Sequence, residues 1–153
     1  MSFLWKKAPL KAGDQLIGAL LRVPAEAIFR RIVRDLNAAG FEGLTLAHLT
    51  VLRYPGPDGE RPGVLAERAG VSRQAMNRLL GSLEDLGYLK RTDASDQGRA
   101  RIVRFTRQGH AAWAKIVEIL YEIEREWSAE LGAKDFAHLK QLLRRVWESP
   151  LVR

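Results

Sequence analysis

Cysteine is absent from the 153 residues. That removes disulfide frameworks, thiol nucleophiles, cysteine-based zinc sites and thiol redox sensing together. Histidine is scarce: His48, His110 and His138 have no ligand-like spacing to one another or to paired carboxylates, so neither a metal site nor a cofactor is expected. There is no nucleophile–base pair and no phosphate-cradling glycine loop, so no enzyme is expected either. No apolar run approaches the roughly 18–20 residues that a membrane span needs. The start, Met1-Ser2-Phe3-Leu4-Trp5-Lys6-Lys7, puts its charges after a short apolar patch, the reverse of a secretory signal. The expectation is a cytoplasmic protein with no membrane partner. What is present is globular in composition, with 46% hydrophobic and 28% charged residues. The length suits one domain with helical extensions and is too short for two independent cores.

Acidic residues are the next shortage. Lys and Arg number 25 against 18 Asp and Glu, a net charge of +7. The surplus is uneven: Arg61 to Arg107 holds ten basic and five acidic residues, a net of +5, and leaves +2 for the rest. Directly downstream the sign turns, with Glu118, Glu122, Glu124, Glu126 and Glu130 against Lys115 and Arg125. A basic middle and an acidic C-terminal part point to a polyanion, nucleic acid before anionic membrane, facing the middle alone.

Periodicity predicts a mainly helical chain with a small β-hairpin. Leu16, Leu20, Ile28, Ile32 and Leu36 recur at helical spacing, giving a helix from about Asp14 to Ala39. Pro24 lies inside it and is expected to kink or interrupt it. A short helix from about Leu46 to Arg53 follows, with Thr45 as its N-cap. The turn residues 54–60 separate it from a helix over Pro62 to Ala69, which opens on proline and closes on Gly70. Ser72 then caps a further helix, with Met76, Leu79, Leu80, Leu83 and Leu86 on one face and Arg73, Gln74, Asn77, Arg78 and Gly81 on the other. Gly87 ends it. The period shortens to two for strands over Tyr88–Arg91 and Ala100–Phe105, joined by a loop over Thr92–Arg99. Thr106 caps a long helix to about Leu131, carrying Trp113, Ile116, Val117, Leu120, Ile123 and Trp127. A last helix runs from about Lys134 to Glu148.

Helix, helix, a tight turn at Gly70-Val71-Ser72, helix and hairpin is the order of a winged helix-turn-helix. The second helix of such a pair projects into the roughly 12 Å major groove of double-stranded DNA. Arg73, Gln74, Asn77 and Arg78 carry donors and acceptors suited to base edges, Arg to guanine and Asn or Gln to adenine. Ser72, at the helix N-terminus, is placed to meet a phosphate. Arg99 in the hairpin loop is placed to reach the adjacent minor groove. Lys90, Arg91, Arg101 and Arg104 divide between phosphate contacts and plain solvation, with Arg101 counted among the DNA-binding residues.

The stretch Leu65-Ala66-Glu67-Arg68-Ala69-Gly70-Val71-Ser72-Arg73, then Asn77-Arg78-Leu79-Leu80, Leu83-Glu84 and Leu86-Gly87-Tyr88-Leu89, resembles the MarR family of bacterial transcriptional regulators. So does Gly98-Arg99-Ala100-Arg101-Ile102-Val103-Arg104-Phe105-Thr106 with Gly109. The resemblance implies a homodimer in which residues 1–39 and 107–153 supply dimerisation helices and residues 45–106 form the DNA-binding lobe. It implies a regulator, a repressor by preference, reading a pseudo-palindromic operator, with Arg99 as the wing arginine. The family places an acid two positions before that arginine; here the position holds Gln97, with Asp96 one residue earlier. Family members often bind small phenolic or amphipathic ligands between lobe and dimerisation helices, and by position His48, Tyr54 and Trp113 are expected to line that cleft. The alternatives are a winged-helix module that binds protein rather than DNA, or a winged-helix regulator of another family.

Overall fold

The computed structural model describes residues 16–53, 56–93 and 101–152. Helix α1 (Ile17–Ala38) passes through Pro24 without a break. Proline removes one donor and adds one steric conflict, and helical residues on both sides carry the element across it. The helix C-terminus is clasped by Asn37, whose Nδ2 donates to the carbonyls of Val33 (2.8 Å) and Leu44 (2.9 Å).

The second helix, α2 (Leu49–Leu52), is shorter than its sequence suggests, and Thr45 is not its cap. His48 N–H donates to the Thr45 carbonyl at 3.1 Å, closing a turn before the helix begins, and the His48 ring accepts the Thr45 N–H at 3.1 Å. Helix α3 (Pro62–Ala69) has the expected ends: proline in the first turn, and Gly70 in the left-handed region at φ 66°. Helix α4 (Arg73–Asp85) follows at once, its N-terminus capped by Ser72 Oγ, which accepts the Ala75 N–H at 3.0 Å.

Strands β1 (Leu89–Asp93) and β2 (Arg101–Phe105) pair antiparallel, with Leu89 opposite Phe105 and Asp93 opposite Arg101. Thr92 and Asp93, expected in the loop, belong to the ladder. The outer edge of β2 is covered too: Gly59 N–H donates to the Val103 carbonyl (2.7 Å), Val103 N–H to that of Glu60 (2.8 Å), and Phe105 N–H to Asp58 Oδ1 (2.8 Å). Helices α5 (Arg107–Leu131) and α6 (Ala133–Trp147) complete the chain. Thr106 Oγ1 accepts the Gly109 N–H at 3.0 Å and donates to the Gly87 carbonyl at 2.6 Å, so one side chain starts α5 and fixes it to the hairpin.

A single apolar cluster joins these elements. Leu65, Met76, Leu80, Leu83, Tyr88, Leu89, Val103 and Phe105 fill the lobe formed by α3, α4 and the hairpin, and Ile32, Leu36, Ala112, Ile116, Ile119 and Ile123 carry the core between α1 and α5. Ile119 is wholly buried, whereas Leu120, assigned to the packed face from the sequence, is exposed. Arg31 crosses from α1 to Glu126 of α5, its second terminal nitrogen donating to Oε1 at 2.8 Å. No residue of α6 is buried. Its Leu142, Leu143, Val146 and Trp147 are exposed, as are Leu16, Ile17, Leu20 and Leu21 at the start of α1.

Candidate nucleic-acid interface

Helix α4 is amphipathic in the way a reading helix must be. Met76, Leu80 and Leu83 point into the core. Ser72, Arg73, Gln74, Asn77 and Arg78 all lie on the solvent side. A 3.6-residue period puts positions 76, 80 and 83 on one stripe, 74 and 78 opposite it and 77 on its flank, and Arg73, nearer the stripe, is exposed as the first residue of the helix. These outward residues are thus brought together on one exposed helix face, with Ser72 and the free amides at its N-terminal end.

The hairpin is bound to this helix by a clasp that the sequence did not advertise. Arg91 of β1 shares a face with buried Leu89, two residues away, and therefore points at α4 rather than into solvent. Its backbone N–H donates to Glu84 Oε1 (2.9 Å), and its Nε donates to both carboxylate oxygens (3.0 Å each). The Arg91 guanidinium holds the Glu84 carboxyl below the usual carboxylate range and has its own pKa raised in return. A further nitrogen of Arg91 donates to Asn77 Oδ1 at 3.3 Å. Alternation along β1 was the available signal for Arg91, which charge counting alone left unranked. Arg101, opposite Asp93 in the ladder, is exposed on β2. Arg99, with Asp96 and Gln97, lies outside the described residues.

The second expected site fares differently. An apolar cavity of about 320 Å³ opens between α1, α2, α5 and α6, lined among others by Phe29, Ile32, Arg53, Trp113 and Trp147. A neighbouring hollow of about 340 Å³ shares Phe29 and Arg53 with it. Trp113 faces this cleft and packs against Phe105, with ring centroids 6.1 Å apart. His48 does not line it. Its ring is buried, with Nδ1 accepting from Thr45 and Nε2 2.9 Å from Ser82 Oγ of α4. Burial pushes its pKa below the ordinary histidine value. Tyr54 lies outside the described residues. Phe29 and Trp147 were missed because the wall is assembled from helices distant in sequence. Among the described residues no cluster of His, Asp and Glu could hold a metal ion, and no helix is long and apolar enough to cross a membrane.

Residues 42–100, which span α2 to the hairpin, match the sequence pattern of the MarR family. The lobe thus resembles that of the MarR family. Beyond the matched stretch the similarity extends over about nine-tenths of the chain. HTH-type transcriptional repressor Rv2887 of Mycobacterium tuberculosis is 28% identical over 143 residues, covering 91% of this chain and 94% of the relative. The crystal structure of that MarR family protein in complex with salicylic acid superimposes with a TM-score of 0.64 at 27% identity, over 88% of this chain and 98% of the other. The transcriptional repressor CouR, bound to a 23-mer DNA duplex, gives a TM-score of 0.66 at 23% identity, over 92% and 100% of the two chains, a likeness of fold alone. The mainly helical winged helix-turn-helix architecture is thus the MarR architecture, including the long helices that flank the lobe.

Proposed function

We propose that this chain is a MarR-family regulator, a homodimeric, sequence-specific DNA-binding transcriptional repressor confined to the cytoplasm and acting by binding rather than catalysis. One observation carries the reading: a helix anchored in the core along one face presents Arg73, Gln74, Asn77 and Arg78 on the other, beside a Ser72-capped N-terminus. Each copy of α4 reads one half of a pseudo-palindrome, with half-site centres about 10 base pairs apart. Ser72 and Arg101 contact phosphates and Arg99 enters the minor groove. The unpartnered apolar faces of α1 and α6 join two copies. The relatives include a repressor seen with salicylic acid and another seen on duplex DNA. The salicylic acid complex supports a ligand-responsive reading, in which a small aromatic or amphipathic ligand in the Trp113 cleft favours a lobe spacing unsuited to DNA and so lowers DNA affinity.

The test is a gel-shift titration on duplexes selected from a random pool. Arg78→Ala and Asn77→Ala each weaken the selected duplex by about 1–3 kcal/mol and relax one base position. Arg99→Ala weakens binding with less loss of major-groove selectivity. Affinity falls steeply with added salt, as release of condensed counterions requires. Unchanged affinity in all three variants, or binding indifferent to salt, overturns the assignment.

A further inference from the structure

Asn77 does not stand free on the reading face. Its side-chain oxygen is 3.3 Å from a terminal nitrogen of Arg91, while the Arg91 Nε is held at 3.0 Å from both oxygens of Glu84. A guanidinium has donors and no acceptor. The amide atom facing it must therefore be the oxygen, and the NH2 group must turn away from the hairpin. A bidentate grip on adenine needs the same amide to accept from the adenine N6 amine while donating to N7. With its oxygen turned to the hairpin and one of its two lone pairs taken by Arg91, Asn77 offers its two N–H bonds outward.

We infer that Asn77 reads DNA as a hydrogen-bond donor, selecting an acceptor-rich major-groove edge (guanine O6 and N7, or thymine O4) over adenine, and that Arg91, braced by Glu84, is the positioning residue that sets this preference. The inference rests on the DNA-reading role of α4 proposed above. It replaces the adenine pairing that the residue type alone suggests. It also gives the hairpin a part in major-groove selectivity without a base contact of its own, because Arg91 acts through Asn77.

The experiment uses the full-length protein and duplexes from the selected pool. The base pair whose selectivity Asn77→Ala abolishes is located first. All four bases are then placed at that position and their affinities compared for the wild type, Arg91→Ala and Arg91→Lys. The wild type prefers guanine or thymine over adenine by on the order of tenfold, and Arg91→Ala reduces that ratio to about threefold or less while preferences at the other positions persist. Arg91→Lys keeps a charge beside Glu84 but loses the planar fork, so it shifts the ratio in the same direction and covers the case in which Arg91→Ala fails to fold. A wild type that prefers adenine at that position overturns the inference and leaves the DNA-binding reading intact. So does a ratio unchanged in both Arg91 variants, or a uniform weakening at every position with the ratio kept. A protein that binds no duplex overturns the parent reading, and this one with it.

Discussion

Gly109 shows how much a single missing side chain can decide. It sits buried in the first turn of α5, and a Cβ built there would lie inside the van der Waals envelope of the Tyr88 carbonyl and 2.8 Å from the Phe105 ring. The close approach lets Thr106 bond both its own helix and the Gly87 carbonyl. Backbone cannot yield as a flexible side chain does, so Gly109→Ala should cost about 1–3 kcal/mol through overpacking, read as a lower urea midpoint with an unchanged slope. A midpoint equal to the wild type would show the contact to be slack. Such residues were partly legible beforehand. Ser72 and Thr106 announce themselves because a cap acts on an amide two or three residues away. Arg91, by contrast, depends on which face of a strand it occupies, and the acid it meets is seven residues back in another element.

At the scale of elements, the parts with local causes were readable and the parts with distant causes were not. Helix α3 has its bounds written into Pro62 and Gly70, and α4 has its apolar stripe. The start of α2 escaped because residues 45–48 close a turn of their own, His48 N–H to the Thr45 carbonyl, before the helix begins. The His48 ring fixes α2 to α4 through Ser82, and that link carries a pH dependence. Burial lowers the His48 pKa below its ordinary 6.5. The folded state then binds fewer protons than the unfolded chain in the window between the two values. The stabilisation is complete above about pH 6.5 and is lost as pH falls toward the depressed value, at up to about 1.4 kcal/mol per pH unit. Urea melts at stepped pH should show this slope, and His48→Gln should flatten it. Glu84, whose pKa is lowered from 4.5, begins to lose its contribution only below that pH, whereas the His48 slope begins near 6.5. An identical slope in His48→Gln would remove His48 as its source.

For the molecule as a whole, the apolar surface on the outer helices is the feature that a single chain leaves unexplained. Trp147 is 66% exposed and Ile17 69%, on helices whose neighbouring leucines are exposed as well. Exposed apolar surface of this kind marks an interface; in the sequence the stripes alone name no partner, and the resemblance is what implies dimerisation helices in residues 1–39 and 107–153. Leu143→Asp combined with Val146→Asp should turn a dimer into a monomer in sedimentation equilibrium. Operator affinity should fall on the order of 10²-fold or more, because two half-sites are no longer gripped together. A double variant that still sediments as a dimer would place the interface elsewhere. The cavity beside Trp113 was legible only as a region, since its walls come from α1, α2, α5 and α6.

The reading helix is secured from three directions: the core beneath Met76 and Leu80, the strand through Arg91, and α2 through His48. These moorings oppose rotation or melting of the helix by itself. Under the proposed function, a signal would alter where that helix stands relative to its twin rather than what is inscribed on it. Control of affinity and choice of sequence therefore belong to separate parts of the chain, and evolution can retune one without rewriting the other.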